Sequence, residues 1–148
     1  MVKRSALIAA LFISISQPAL SKAAEWETLT VEGKPLSITT SALSGYVDAL
    51  SSVSSSLETC SNKLEKQIAH PLTERKSQFI LSPVGGVCRF IWNRDMRWRY
   101  TCTLSPEDRE GMHQAFSGWI STQKGLGDFS EPLKKLLFNT QLCVAERI

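Results

Sequence analysis

Residues Gln78 to Thr103 read QFILSPVGGVCRFIWNRDMRWRYTCT, and their alternation decides the fold. Phe79, Ile80 and Leu81 begin a strand, and Pro83-Val84-Gly85-Gly86 turns the chain. Val87 to Asn93 and Arg97 to Thr103 then read as a hairpin around Arg94-Asp95-Met96. Successive side chains of a strand point to opposite faces. Cys88, Phe90, Trp92, Trp98, Tyr100 and Cys102 therefore share one face, and Arg89, Ile91, Asn93, Arg97, Arg99 and Thr101 the other. Centring the turn on Asp95 sets Trp92 opposite Trp98, Phe90 opposite Tyr100 and Cys88 opposite Cys102. This is the expected register.

The flanking sequence supplies a second layer. Upstream, Leu29 and Val31, then Leu36 and Ile38, alternate with polar residues on either side of Glu32-Gly33-Lys34-Pro35, which predicts a hairpin over Trp26–Thr40. Leu43, Tyr46, Val47, Leu50, Val53, Leu57, Cys60, Leu64 and Ile68 then follow three- and four-residue steps. That spacing predicts a long amphipathic helix from Ser41 to His70, stopped by Pro71. The serines between Ser51 and Ser56 are read as a thin face of this helix, because the apolar phase runs through them. Downstream, Ser105-Pro106-Glu107-Asp108 combines an N-cap, a proline at the first helical position and acids in the first turn. Met112, Ala115, Phe116, Trp119 and Ile120 make the stripe of this second helix, which ends at Gly125 or Gly127. Ser130 caps a third, with Leu133, Leu136 and Leu137 inward, and Cys143 holds the tail. The predicted class is α+β. An antiparallel sheet, made of the N-terminal hairpin and a central three-stranded meander, is packed by one long and two shorter helices.

The first residues predict export. Lys3 and Arg4 precede an uncharged, mostly apolar stretch, Ala6 to Ile15, which is too short to span a bilayer. Pro18 follows, and Ser21 and Ala23 stand at the −3 and −1 positions of a cleavage site between Ala23 and Ala24. Residues 1–23 thus read as a signal peptide, and residues 24–148 as one disulfide-stabilised α+β domain, periplasmic or secreted, without a membrane span. Lys3, Arg4 and Lys22 leave with the peptide, so the remaining chain carries 14 basic and 14 acidic residues. Neutrality speaks against nucleic acid as a partner.

Cys60, Cys88, Cys102 and Cys143 form an even set in an exported chain, which predicts two disulfides. Their long spacings do not suit a zinc site, which presents paired knuckles. The register above favours Cys88–Cys102 with Cys60–Cys143. The rival is that both strand cysteines face the helical layer, one bridging to Cys60 and one to Cys143.

Chemistry is sparse. His70 and His113 are the only histidines, no nucleophile motif accompanies them, and the carboxylates are scattered or at helix starts. Met96 and Met112 show no ligand spacing with either histidine. No catalytic residue, metal site or cofactor is expected. The arginines are the local feature. Arg89, Arg97 and Arg99 share a face, and Arg94 lies in the turn, so the expected function is binding of a protein or an anionic envelope component. Replacing Arg97 and Arg99 together is expected to spare stability and weaken capture of that partner. A periplasmic inhibitor or immunity protein, and a small envelope enzyme, are the alternatives. A deep pocket lined by His70 or His113 would favour the enzyme.

Overall fold

A computed structural model describes residues 25–148. The expected signal peptide and its cleavage site lie outside the described residues. Strands β1 (Trp26–Val31) and β2 (Lys34–Thr39) form the N-terminal hairpin. Glu32 and Gly33 both take positive φ in its two-residue turn, which matches the strand twist. Thr39 then caps helix α1 (Thr40–Thr59), its hydroxyl accepting from the Ala42 N–H.

The expected long helix stops at Thr59 rather than His70. Cys60 takes a left-handed conformation and ends it, and residues Leu64–Ala69 continue as strand β3. The reason lies in the spacing. Leu64 and Ile68 are four apart, which is one face of a helix and equally one face of a strand. Periodicity alone could not separate the two. Strand β4 (Lys76–Val84) supplies the hydrogen-bonding partner that decides for the strand, with Leu64 opposite Leu81 and Lys66 opposite Phe79.

Strands β5 (Val87–Arg94) and β6 (Trp98–Leu104) follow β4, and the tail returns as strand β7 (Cys143–Arg147). The expected three-stranded meander is thus the middle of a five-stranded antiparallel sheet, ordered β3-β4-β5-β6-β7, and the N-terminal hairpin is a separate two-stranded sheet. Helices α2 (Pro106–Gln123) and α3 (Glu131–Leu137) begin where their caps predict. The Ser105 hydroxyl accepts from the Asp108 N–H, whereas Ser130 makes no side-chain cap bond. The class is α+β, as read from the sequence.

The β5–β6 register differs from expectation. The turn is Asp95-Met96-Arg97, with Asp95 and Met96 left-handed, so Arg94 faces Trp98, Trp92 faces Tyr100, Phe90 faces Cys102 and Cys88 faces Leu104. The faces survive the change. Moving the turn centre by one residue re-pairs each side chain with a partner two residues along, and two residues is one pleat repeat. Phe79, Phe90, Trp92 and Phe116 are almost fully buried between the sheet and α2, with the Trp92 ring tilted against Phe79 at 4.9 Å and edge-on at 5.6 Å to Phe116. Each such side chain contributes roughly 1.5–3 kcal/mol by burial.

The same shift overturns the favoured disulfides. Cys88 and Cys102 are not opposite each other. Cys88 reaches the end of α1 as Cys60–Cys88, and Cys102 faces Cys143 across β6 and β7, with Cα atoms 4.0 Å apart. The neighbouring pair, Thr103 and Leu142, is hydrogen-bonded. Cys102 and Cys143 therefore occupy the closer, non-hydrogen-bonded kind of site. The rival pairing, strand cysteines to Cys60 and Cys143, is the one found.

Candidate functional site

The helices cover one face of the large sheet. Its other face carries a hydrogen-bonded row that touches every strand. Gln78 donates to Glu65 at 3.0 Å, Asn93 donates to Gln78 at 2.9 Å, and Arg99 Nε donates to Asn93 at 2.8 Å. Arg99 Nη1 lies 3.6 Å from Glu146 on β7. Asn93 is buried within this row although it lies on the outer face. Its amide can satisfy both neighbours only by donating to one and accepting from the other.

The four arginines predicted as one patch are dispersed. Arg99 belongs to this row. Arg89 is exposed on the same face but four residues along the strand pair, which is about 13 Å at strand rise. Arg94 turns to the helical side. Its guanidinium lies 4.0 Å over the Phe129 ring and donates to the Gly127 carbonyl at 3.0 Å. Arg97 is in the turn and exposed, and among the described residues its side chain makes no hydrogen bond or ion pair.

Arg97 has apolar company instead. Met96, Trp98 and Ile148 are each about half exposed (47%, 46% and 47%). Arg147 pairs with Trp98 across β6 and β7, and the Ile148 N–H donates to the Arg97 carbonyl at 2.9 Å. These contacts bring Met96, Arg97, Trp98, Arg147 and Ile148 to one end of the sheet. Sequence reasoning missed the last two because it did not recognise β7, whose five residues alternate too weakly to announce a strand.

A cavity of about 280 Å³ opens on the helical side, at the end of the sheet where Arg94 turns in. The buried residues Leu50, Phe79, Trp92 and Trp119 line it, together with the half-buried Tyr46, His70 and Arg94. His70 follows the end of β3 rather than a helix. Its Nδ1 accepts from the Leu72 and Thr73 N–H groups at 3.2 and 3.3 Å, so in the neutral ring the hydrogen is on Nε2. Burial, with Arg94 and Arg75 nearby, holds His70 below its ordinary value against the opposing pull of Asp95. Burial likewise pushes the Tyr46 phenol up, and Tyr46 donates to the Gly125 carbonyl at 2.7 Å. The Trp92 Nε1–H is buried and has no acceptor among the described residues.

His113 is built into the helix pair. Its Nδ1 is 2.8 Å from the Ser54 carbonyl and 3.2 Å from the Ser54 hydroxyl, and its Nε2 is 3.2 Å from Glu58. A serine, a histidine and a glutamate thus meet, but not as a nucleophile relay. A carbonyl only accepts, so Nδ1 carries the hydrogen and cannot take one from Ser54 Oγ. Ser54 is also buried and bonded to Ser117. The cluster ties α1 to α2. Among the described residues no group of three or more His, Cys, Asp or Glu is placed to hold a metal ion, and no helix is long and apolar enough to cross a membrane.

Comparison with protein-family models, curated proteins and solved structures finds no match to this chain.

Proposed function

We propose that this chain is an exported, non-enzymatic binding module of the cell envelope that docks a protein partner through the tip of the β5–β6 hairpin. One observation carries the reading. Trp98 and Met96 are half exposed beside Arg97, whose side chain has no partner among the described residues, with Arg147 across the strand pair. Tryptophan, methionine and arginine are the residues enriched at the centres of protein interfaces. A free tryptophan offers the partner a large apolar anchor, and the two arginines favour a surface that pairs apolar with acidic residues. Export is supported by the N-terminal Lys3-Arg4 and Ser21-Lys22-Ala23 pattern and by the pairing of all four cysteines, which suits an oxidising compartment. A periplasmic or secreted location follows from the same reading.

Affinity capture from envelope extract tests it. The disulfide-bonded chain captures a defined partner, while Trp98→Ala and Arg97→Glu each reduce capture by about tenfold or more with the fold intact. Equal capture by all three proteins overturns the tip as the docking surface. If the captured partner is a hydrolase or toxin whose activity falls on binding, the module is an inhibitor that uses this same tip. Protein taken from the exporting cell begins at Ala24, and full-length chain in the membrane fraction overturns this processing in favour of an uncleaved N-terminal anchor.

A further inference from the structure

We propose that the cavity beside Arg94 binds a small carboxylate with an apolar body. The proposal is independent of the hairpin tip. It starts from a polar group that the fold leaves unsatisfied. The Trp92 Nε1–H is buried with no acceptor among the described residues, and Trp92 is 2% exposed and lines the cavity. An indole N–H can only donate, and leaving it unpaired in an apolar site costs roughly 1–3 kcal/mol. The donor belongs to a side chain of the cavity wall.

Two further donors share this cavity. His70 has its Nδ1 occupied by the Leu72 and Thr73 amides, which leaves Nε2–H without a partner among the described residues. Arg94 uses one terminal nitrogen on the Gly127 carbonyl and is also engaged with the Tyr100 hydroxyl, which leaves the rest of its five N–H groups for a ligand. The imidazole and guanidinium N–H groups suit a planar oxyanion, with the Trp92 ring in the wall of the same cavity. Leu50, Phe79 and Trp119 supply the apolar wall for the rest of the ligand. At about 280 Å³ the space equals roughly nine waters of liquid, which sets the ligand near the size of a phenylpropanoate.

Acids also line the cavity, and they sharpen the test. Asp128 is paired with Lys134 at 3.0 Å, and Glu32 accepts from the Asp128 N–H at 2.8 Å. Asp95 is the lining carboxylate with no side-chain partner among the described residues, and it opposes an anion. Arg75, also lining the cavity, acts against it. Asp95 has φ 52°, a conformation that asparagine tolerates, so Asp95→Asn changes the charge without forcing the backbone.

The experiment titrates the disulfide-bonded protein with 3-phenylpropanoate and with 3-phenylpropan-1-ol, following the tryptophan indole N–H resonances by NMR. The expected result is binding of the carboxylate about tenfold tighter than the alcohol. The Trp92 indole proton shifts as the cavity fills, while that of the exposed Trp26 stays. Asp95→Asn tightens carboxylate binding by about threefold and leaves the alcohol unchanged. No movement of the Trp92 indole at millimolar carboxylate overturns the proposal. Equal binding of acid and alcohol overturns it in favour of a plain apolar cavity, and weaker binding by Asp95→Asn overturns the oxyanion assignment.

Discussion

Arg99 Nε donates to Asn93 Oδ1 at 2.8 Å across β6 and β5, and this bond gives Arg99 a structural partner that the Arg97 side chain lacks among the described residues. The stability and binding roles of the outer face therefore separate. Asn93→Leu leaves Gln78 and Arg99 without their shared partner and is expected to cost about 1–3 kcal/mol in urea unfolding. Arg97→Ala stays within about 0.5 kcal/mol. A double change at Arg97 and Arg99 mixes the two effects and does not isolate binding. Loss of stability on changing Arg97 alone would show that it has a structural partner.

Non-reducing peptide mapping should join Cys60 to Cys88 and Cys102 to Cys143. The two bridges close loops of 28 and 41 residues, each worth about 3–4 kcal/mol in the chain-entropy model. Cys60→Ala with Cys88→Ala also frees the end of α1 from β5, so protection from amide exchange should fall first around Thr59 to Leu64. A peptide joining Cys88 to Cys102 would contradict the β5–β6 register itself.

Lys124, at φ 57°, is the left-handed cap that ends α2, one residue before the expected Gly125; Gly125 follows at φ 69°, and a Cβ there would overlap the Leu50 side chain. Gly125→Ala combines the left-handed strain with that overlap, and the expected cost is roughly 2–4 kcal/mol. Gly118→Ala, at a helical site with open space around the added carbon, is expected to be neutral or slightly stabilising. Similar melting temperatures for the two variants would argue against this close packing of α1 and the α2 end.

His70 makes stability depend on pH. Its folded value is held below the ordinary 6.5 by burial first, with Arg94 and Arg75 acting in the same direction and Asp95 against. Above about 6.5 the ring is neutral in both states. As the pH falls below that, the unfolded chain binds the proton first and stability declines, until the folded protein titrates too. His70→Asn, which keeps an acceptor for the Leu72 and Thr73 amides, should flatten this part of the melting-temperature profile. An unchanged slope would assign the dependence to another group.

The helix starts were written in local chemistry. Thr39 and Ser105 cap α1 and α2 through bonds made within three residues, and Pro106 with its following acids needs no distant partner. The faces of β5 and β6 were equally legible, because parity along a strand does not depend on where the turn falls. Tertiary structure decided what parity and spacing leave open. Leu64 and Ile68 are compatible with helix or strand until β4 pairs with them. Arg94 and Arg99 carry the same charge on adjacent strands. One ends over Phe129 and the other on Asn93 because their positions fall on opposite faces of the sheet. Cys88 finds Cys60 rather than Cys102 because the turn centres on Met96, and no count of cysteines contains that information. Local bonds are fixed by neighbours along the chain, whereas pairing and register follow from which elements bury their apolar faces together.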